Sequence, residues 1–296
     1  MMSTADISQC AACGNKGGDD LKACAACKLV KYCNVTCQKA HRSNHKKECK
    51  RRAAELFDEA LFQQPPPKEY CPICFLPLQF GPEYIKYYPC CMKVICSGCV
   101  YAVEAGMTSS LSPCPFCRTP THTSNEEVIE RCKKRMEAND VEAFITLAWH
   151  HHDGGMGLPQ DFKKSMGLWL RAAELGSINA HYDLGRIYYD GNGVEKDMKK
   201  ANYYWERAAM GGHVQARHNL GFLETNDNRA KKHFMIAARA GYDNSLKMIR
   251  DMFTAGHVTK EEYEKTLRAH KDSQDEMKSD QRDIAFDAFL KNNSPL

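Results

Sequence analysis

Sixteen cysteines carry most of the chemistry open to this 296-residue chain, and fifteen of them fall between Cys10 and Cys117. They come in pairs. The first set reads Cys10-x2-Cys13, Cys24-x2-Cys27, Cys33-x3-Cys37 and His45-x3-Cys49. The second reads Cys71-x2-Cys74, the adjacent Cys90-Cys91, Cys96-x2-Cys99 and Cys114-x2-Cys117. A two-residue gap lets a tight turn present two sulfurs to one ion, and a four-residue step puts two ligands on one helix face. Packing preference alone does not produce such pairing, so metal binding is the expected use of these thiols. Zinc takes four N or S ligands in a tetrahedron, so each set of eight makes two sites and the chain takes four ions.

In so short a stretch the natural arrangement is interleaved, with pairs one and three sharing an ion and pairs two and four sharing the next. That assigns Cys10, Cys13, Cys33 and Cys37 to one zinc, and Cys24, Cys27, His45 and Cys49 to a second. A third takes Cys71, Cys74, Cys96 and Cys99, and a fourth Cys90, Cys91, Cys114 and Cys117. His41 competes with His45 on the same four-residue ladder; His45 is preferred because it pairs with Cys49 on adjacent turns. The neighbouring Cys90 and Cys91 demand a sharp turn after Pro89, since adjacent side chains diverge in extended backbone.

The elements that must position these ligands follow from patterning. Residues 1–9 are short, polar and expected to be disordered. The paired ligands bound two modules, 10–49 and 71–118. Between them, over 50–70, Lys50 to Gln64 reads as a short helix ended by Pro65-Pro66-Pro67, a stiff spacer. Residues 119–139 form a linker, turn-rich from Thr119 to Asn125 and helical beyond.

Residues 140–255 contain an internal repeat. Ala143, Ala180 and Ala216 open similar phrases, with Leu147, Leu184 and Leu220 four residues on. Asp153-Gly154 matches Asp190-Gly191, Trp169 matches Trp205, and each of the pairs Ala172-Ala173, Ala208-Ala209 and Ala237-Ala238 is soon followed by Gly176, Gly212 or Gly241. Periods near 36 residues mean a helical solenoid. Asp161, Ser177, Asp197, Asp227 and Asp243 are N-cap candidates, and Thr259 to Glu262 is a capping box. From Thr259 one long helix is expected within 256–296, ending near Lys291; its middle, Arg268 to Asp283, is nearly all polar and must be solvated or paired. The fold class is therefore multidomain: two small zinc-stabilised cross-brace modules followed by an all-α helical-repeat solenoid.

Other features read blandly. His150-His151-His152 is expected to be a solvated loop edge, Trp169 and Trp205 core, Cys132 an unpartnered thiol, and Lys133 to Arg135 a solvated helix face. No phosphate loop, Ser-His-Asp set or paired-carboxylate site is present in the sequence. No run of about 18 apolar residues occurs, so no membrane partner is expected. The start lacks a basic region followed by an apolar stretch, so an intracellular location, cytoplasmic or nuclear, is expected rather than secretion. The formal net charge of +4 is no sign of nucleic acid, because zinc-bound thiolates would turn it negative. Lys46 to Arg52 is a basic segment, but stacking aromatics and a recognition helix are lacking, so nucleic-acid binding is disfavoured.

Three resemblances add to this reading. Cys24-Ala-Ala-Cys27, Tyr32-Cys33, Cys37-Gln38 and His45-Lys46-x-x-Cys49 resemble the MYND zinc finger, which implies a two-zinc module binding proline-containing peptides. Arg42 stands where many members carry Trp. Cys71-Pro72-Ile73-Cys74 and Cys114-Pro115-Phe116-Cys117-Arg118 resemble a RING domain of the all-cysteine subclass, whose usual histidine is absent. That resemblance implies docking of a ubiquitin-conjugating enzyme through Ile73 and Pro115, with Arg118 contacting ubiquitin. Leu184-Gly185-x-x-Tyr188, Gly191-x-Gly193-Val194, Asp197-x-x-Lys200-Ala201 and Trp205-x-x-Ala208-Ala209 resemble the Sel-one-like branch of the tetratricopeptide superfamily, a protein-interaction scaffold. A ubiquitin ligase recruiting substrates through finger and repeats is the first functional reading. A non-enzymatic zinc-finger and helical-repeat adaptor is the second.

Overall fold

The computed structural model describes residues 9–17, 20–79, 81, 83–105, 112–120 and 124–293. Of the segment expected to be disordered, 1–8 lie outside the described residues, and Gln9 forms an antiparallel bridge with Lys16. The chain divides into two compact units, residues 1–64 and residues 65–296.

In the first unit, strands β1 (Lys22–Ala23) and β2 (Lys31–Tyr32) pair antiparallel, and helix α1 (Val35–Leu61) follows. The strands are two residues long because the chain between them is spent on a ligand turn. The core is Cys10, Leu21, Cys24, Cys27 and Tyr32, so sulfur replaces the aliphatic packing of an ordinary domain. Asn34 caps α1 by accepting from the Cys37 amide at 3.0 Å. The separate helix expected over Lys50 to Gln64 is instead the second half of this 27-residue helix. No Gly or Pro interrupts the run from Val35 to Leu61, so nothing stops the helix that carries Cys37, His45 and Cys49 until the prolines that follow.

In the second unit, β3 (Ile85–Tyr88) and β4 (Lys93–Cys96) form a hairpin with Cys90 and Cys91 in its turn, and α2 (Ser97–Ala105) follows directly. The helical region begins with α3 (Asn125–Glu137), which buries Cys132 among Val128, Ile129, Ala143 and Leu147. Three antiparallel pairs come next: α4 (Val141–Asp153) with α5 (Phe162–Glu174), α6 (Ile178–Asp190) with α7 (Met198–Met210), and α8 (Val214–Leu223) with α9 (Asp227–Arg239). α10 (Asp243–Thr254), α11 (Lys260–Met277) and α12 (Asp280–Asn293) follow. Trp169, Trp205 and Phe234 are the buried aromatic centres, and the alanines at 172, 208, 209, 237 and 238 are fully buried where helices approach closely. Gly191 and Gly193 lie in the α6–α7 loop with φ of 79° and 74°, a region cheap only for Gly.

Several expectations change here. The caps at Asp161, Ser177, Asp197 and the Thr259 box form, but α9 is capped by Asn226 rather than Asp227, and α10 by Tyr242 without a side-chain bond. The three histidines are not a solvated edge: they lie in the last turn of α4, and His151 and His152 are buried. The antiparallel return of α5 lays Phe162 and Trp169 edge-on or tilted against the His152 ring, at centroid distances of 5.3 and 5.5 Å. The long C-terminal helix is two helices broken at Lys278 and Ser279, where Ser279 accepts from the Arg282 amide. Its polar middle is paired along one face and solvated along the other, where Arg268, Lys271, Asp272, Asp275 and Asp283 are exposed. Thr266, His270, Ser273 and Arg282 are buried, Gln274 donates to the Gly241 carbonyl at 2.6 Å, and Lys68 reaches Ser273 and Glu276 at 2.8 and 2.9 Å.

Candidate metal centres

Four ligand groups assemble from these elements: Cys10, Cys13, Cys33 and Cys37; Cys24, Cys27, His45 and Cys49; Cys71, Cys74, Cys96 and Cys99; and Cys90, Cys91, Cys114 and Cys117. Within each, all ligand atoms lie within 4.8 Å of one another. Every group joins two ligand pairs that are not neighbours in sequence, so each module is cross-braced.

The turns share one geometry. The residue after the second ligand sits in the left-handed region and its amide closes on the carbonyl of the first ligand. The pairs are Gly14 to Cys10 at 2.9 Å, Lys28 to Cys24 at 3.0 Å, Phe75 to Cys71 at 3.0 Å and Arg118 to Cys114 at 2.9 Å. At the adjacent cysteines Met92 plays this part, donating to Tyr88 at 3.0 Å with φ of 57°. That is the sharp turn Cys90 and Cys91 require.

The donor sets fit zinc. A tetrahedral ion with bonds near 2.3 Å to sulfur holds its ligands about 3.8 Å apart. Here Cys13 is 3.6 Å from Cys33 and 3.8 Å from Cys37, and Cys24 is 3.8 Å from Cys49. Cys71 is 3.9 Å from Cys99, Cys74 3.7 Å from Cys96, Cys91 3.7 Å from Cys114 and Cys117 3.4 Å from Cys90. His45 presents Nε2 at 3.2 Å from Cys27 Sγ. His41 stacks on His45 at 5.7 Å and its Nδ1 pairs with the Tyr32 hydroxyl at 3.1 Å, outside the ligand group. All sixteen cysteines are free thiols.

Electrostatics point the same way. The Cys13 backbone amide pulls the Cys10 thiol down to about 6, whereas burial and then the Cys13 and Cys10 thiols push Cys37 up to about 12. In the second group burial opposes ionisation of Cys24, but the Cys27 amide and His45 bring it to about 6; burial and then Cys24 push Cys49 up to about 12. Each group stabilises one thiolate and resists a full set. A dication removes that resistance and releases the remaining protons. Four zinc ions therefore have four matched sites.

The remaining site residues lie on the second module. Ile73 and Pro115 are half-buried within the first and last turns, and Arg118 is exposed. Two arginines that spacing does not reveal also reach this module from the helices. Arg135, expected on a solvated face, donates from Nε to the Pro89 carbonyl and from Nη2 to the Cys90 carbonyl, both at 2.7 Å. Arg282 donates from Nη1 to the Pro77 carbonyl at 2.7 Å. Only the polarity of its neighbourhood hinted at the second. In the basic segment of α1, Arg51 pairs with Glu48 and Glu55, and Arg52 pairs with Glu55 and Glu59, which leaves these cations engaged.

No described helix is long and apolar enough to cross a membrane. Comparison with known proteins finds the MYND finger at residues 10–49 and Sel1 repeats at 147–177, 178–213 and 217–242. The E3 ubiquitin-protein ligase GW2 of Oryza sativa subsp. indica is 35% identical over 82 residues. That match spans 26% of this chain and 16% of the relative's length. A protective antigen of uropathogenic Escherichia coli with an SLR fold is 28% identical over 47% of this chain and 33% of its own, with a TM-score of 0.44. A Sel1 repeat protein from Oxalobacter formigenes is 28% identical over 42% of this chain and 97% of its own, with a TM-score of 0.40. The combination is that of a zinc-binding protein of protein–protein interaction: residues 10–49 are a MYND finger, and three Sel1 repeats lie between residues 147 and 242.

Proposed function

We propose that the chain is a RING-type ubiquitin ligase in which residues 71–118 dock a ubiquitin-conjugating enzyme while the MYND finger and the Sel1 repeats recruit substrate. The observation that carries this reading is the state of Arg118. Its amide is tied to Cys114 at 2.9 Å, the Cys114 amide is tied to Thr119 at 2.9 Å, and its side chain is exposed. A guanidinium on a backbone held by a metal turn can donate several planar hydrogen bonds at one place. Ile73 and Pro115, with the exposed Phe75 and Phe116 in the same two turns, supply apolar surface of the kind a docking partner buries. The partial likeness to a rice ubiquitin ligase supports the same reading. Such a module needs no catalytic side chain of its own; holding a flexible thioester in one reactive pose lowers its barrier through lost freedom.

Discharge of ubiquitin from a panel of charged conjugating enzymes tests it. At least one enzyme should discharge faster with the full chain than alone. No acceleration across a broad panel, with four zinc ions bound, replaces the ligase with the adaptor.

A further inference from the structure

Arg282 is only 2% exposed, yet among the described residues its guanidinium has no carboxylate partner. Nη1 donates to the carbonyls of Pro77 at 2.7 Å and Met277 at 2.9 Å. Nη2 donates to the Leu76 carbonyl at 3.4 Å and lies 3.6 Å from Cys74 Sγ; Nε is buried without a partner. A buried cation is costly unless an opposing charge faces it. Among these partners the group able to carry one is the thiolate of Cys74. With zinc bound, the four thiolates of its group outnumber the charges of the ion, so the site is anionic as a whole.

The backbone is shaped for this approach. A Cβ at Gly98, between ligands Cys96 and Cys99, would lie 2.8 Å from Arg282 Cγ and 2.9 Å from its amide nitrogen. Further along α12, Ala285 is buried and Phe286 stacks on Tyr84 at 5.2 Å.

We propose that Arg282 is a working part of the third zinc site, the counter-charge and N–H donor of its thiolate set, so that zinc at this site and docking of α12 stabilise one another. This rests on Cys71, Cys74, Cys96 and Cys99 binding zinc. An N–H donor to a ligating sulfur draws charge from it and fixes its orientation, and loss of such partners weakens metal binding about 10–100-fold. By linkage the effect is reciprocal: whatever pulls α12 away loosens the zinc, and zinc loss frees α12.

The test uses the full chain, with zinc counted by elemental analysis, release to a chelator followed in time, and exposed thiols mapped by alkylation. Wild type should hold four zinc ions. Arg282→Met should release one of the four about 10–100-fold faster, with early alkylation at Cys71, Cys74, Cys96 and Cys99 only. Arg282→Lys, which keeps the charge, should retain most of the protection. Ala285→Leu, which crowds the buried face of α12 and adds no charge that could pair with Arg282, should reproduce the Met result; it decides the matter if Arg282→Met loses its helical signal. Wild-type release rates in Arg282→Met or Ala285→Leu overturn the proposal while leaving the zinc site standing, as does equal acceleration by Lys and Met. A wild-type protein with no zinc on those four cysteines removes the site itself and the proposal with it.

Discussion

The indole of Trp205 occupies the space where a side chain at Gly185 would begin: a Cβ there would lie 2.3 Å from its Cδ1 and 2.5 Å from its Nε1. The ring is held by a bond from Nε1 to the Tyr182 carbonyl at 3.2 Å, so it cannot retreat freely. The next repeat copies the arrangement, with Phe234 at 2.6 Å from the same point on Gly221. Gly185→Ala gains about 1 kcal/mol of helix propensity but overpacks the core at about 1–3 kcal/mol. A net loss of stability is expected, visible as a lower urea midpoint of the helical signal at unchanged zinc content. An unchanged or higher midpoint would show that α6 and α7 have room to part.

The two histidines of α1 should separate cleanly by metal count. His45→Ala removes the nitrogen 3.2 Å from Cys27 and should lower zinc by one ion per chain. His41→Ala removes a ring that bonds Tyr32 and stacks on His45, and should leave the count intact while loosening the site. The reverse pattern in elemental analysis would move the ligand to His41.

His213 makes the helical region acid-sensitive. Its Nδ1 accepts from the Ala216 amide at 3.2 Å, capping α8, and its ring stacks on Tyr182 at 4.1 Å. Burial lowers its pKa to about 4. The fold therefore holds the neutral ring while the unfolded chain, titrating near 6.5, takes up the proton first. Its contribution is fully present above about 6.5 and is lost as pH falls toward 4. His213→Asn keeps a capping oxygen and removes the titration. Thermal unfolding of the helical signal should depend less steeply on pH between 6.5 and 4 in this variant than in wild type; identical slopes would assign the acid sensitivity elsewhere.

Arg118 and Ile73 should fail differently in the discharge assay. Arg118→Ala should abolish acceleration with all four zinc ions retained, because the guanidinium is exposed and makes no hydrogen bond or ion pair among the described residues. Ile73→Ala should weaken docking of the conjugating enzyme by roughly 1 kcal/mol, because Ile73 is already half-buried and docking covers only the rest of its side chain, and so be rescued at higher enzyme concentration. Zinc loss in either variant would trace the defect to folding.

The grouping of ligands was legible in the sequence because metal chemistry is local. Two cysteines three residues apart dictate a turn whatever surrounds them, and four such pairs in some 45 residues leave few ways to share two ions. The repeat was legible for a related reason: each helix pair must bury the same face, so Ala, Leu and Trp recur at one period. Long-range packing decided the rest. The run to Leu61 carries no signal that it continues the ligand helix, beyond the absence of a stop. His151 and His152 look solvated in a string of three and are buried because α5 returns across them. Arg135 and Arg282 look like ordinary surface cations. One meets Cys90 across 45 residues of chain and the other meets Cys74 across 208, distances over which no spacing rule operates. The break at Lys278 belongs with them: residues 268–283 read as one polar helix, yet Lys278 takes extended backbone and the chain turns helical again where Ser279 accepts from the Arg282 amide.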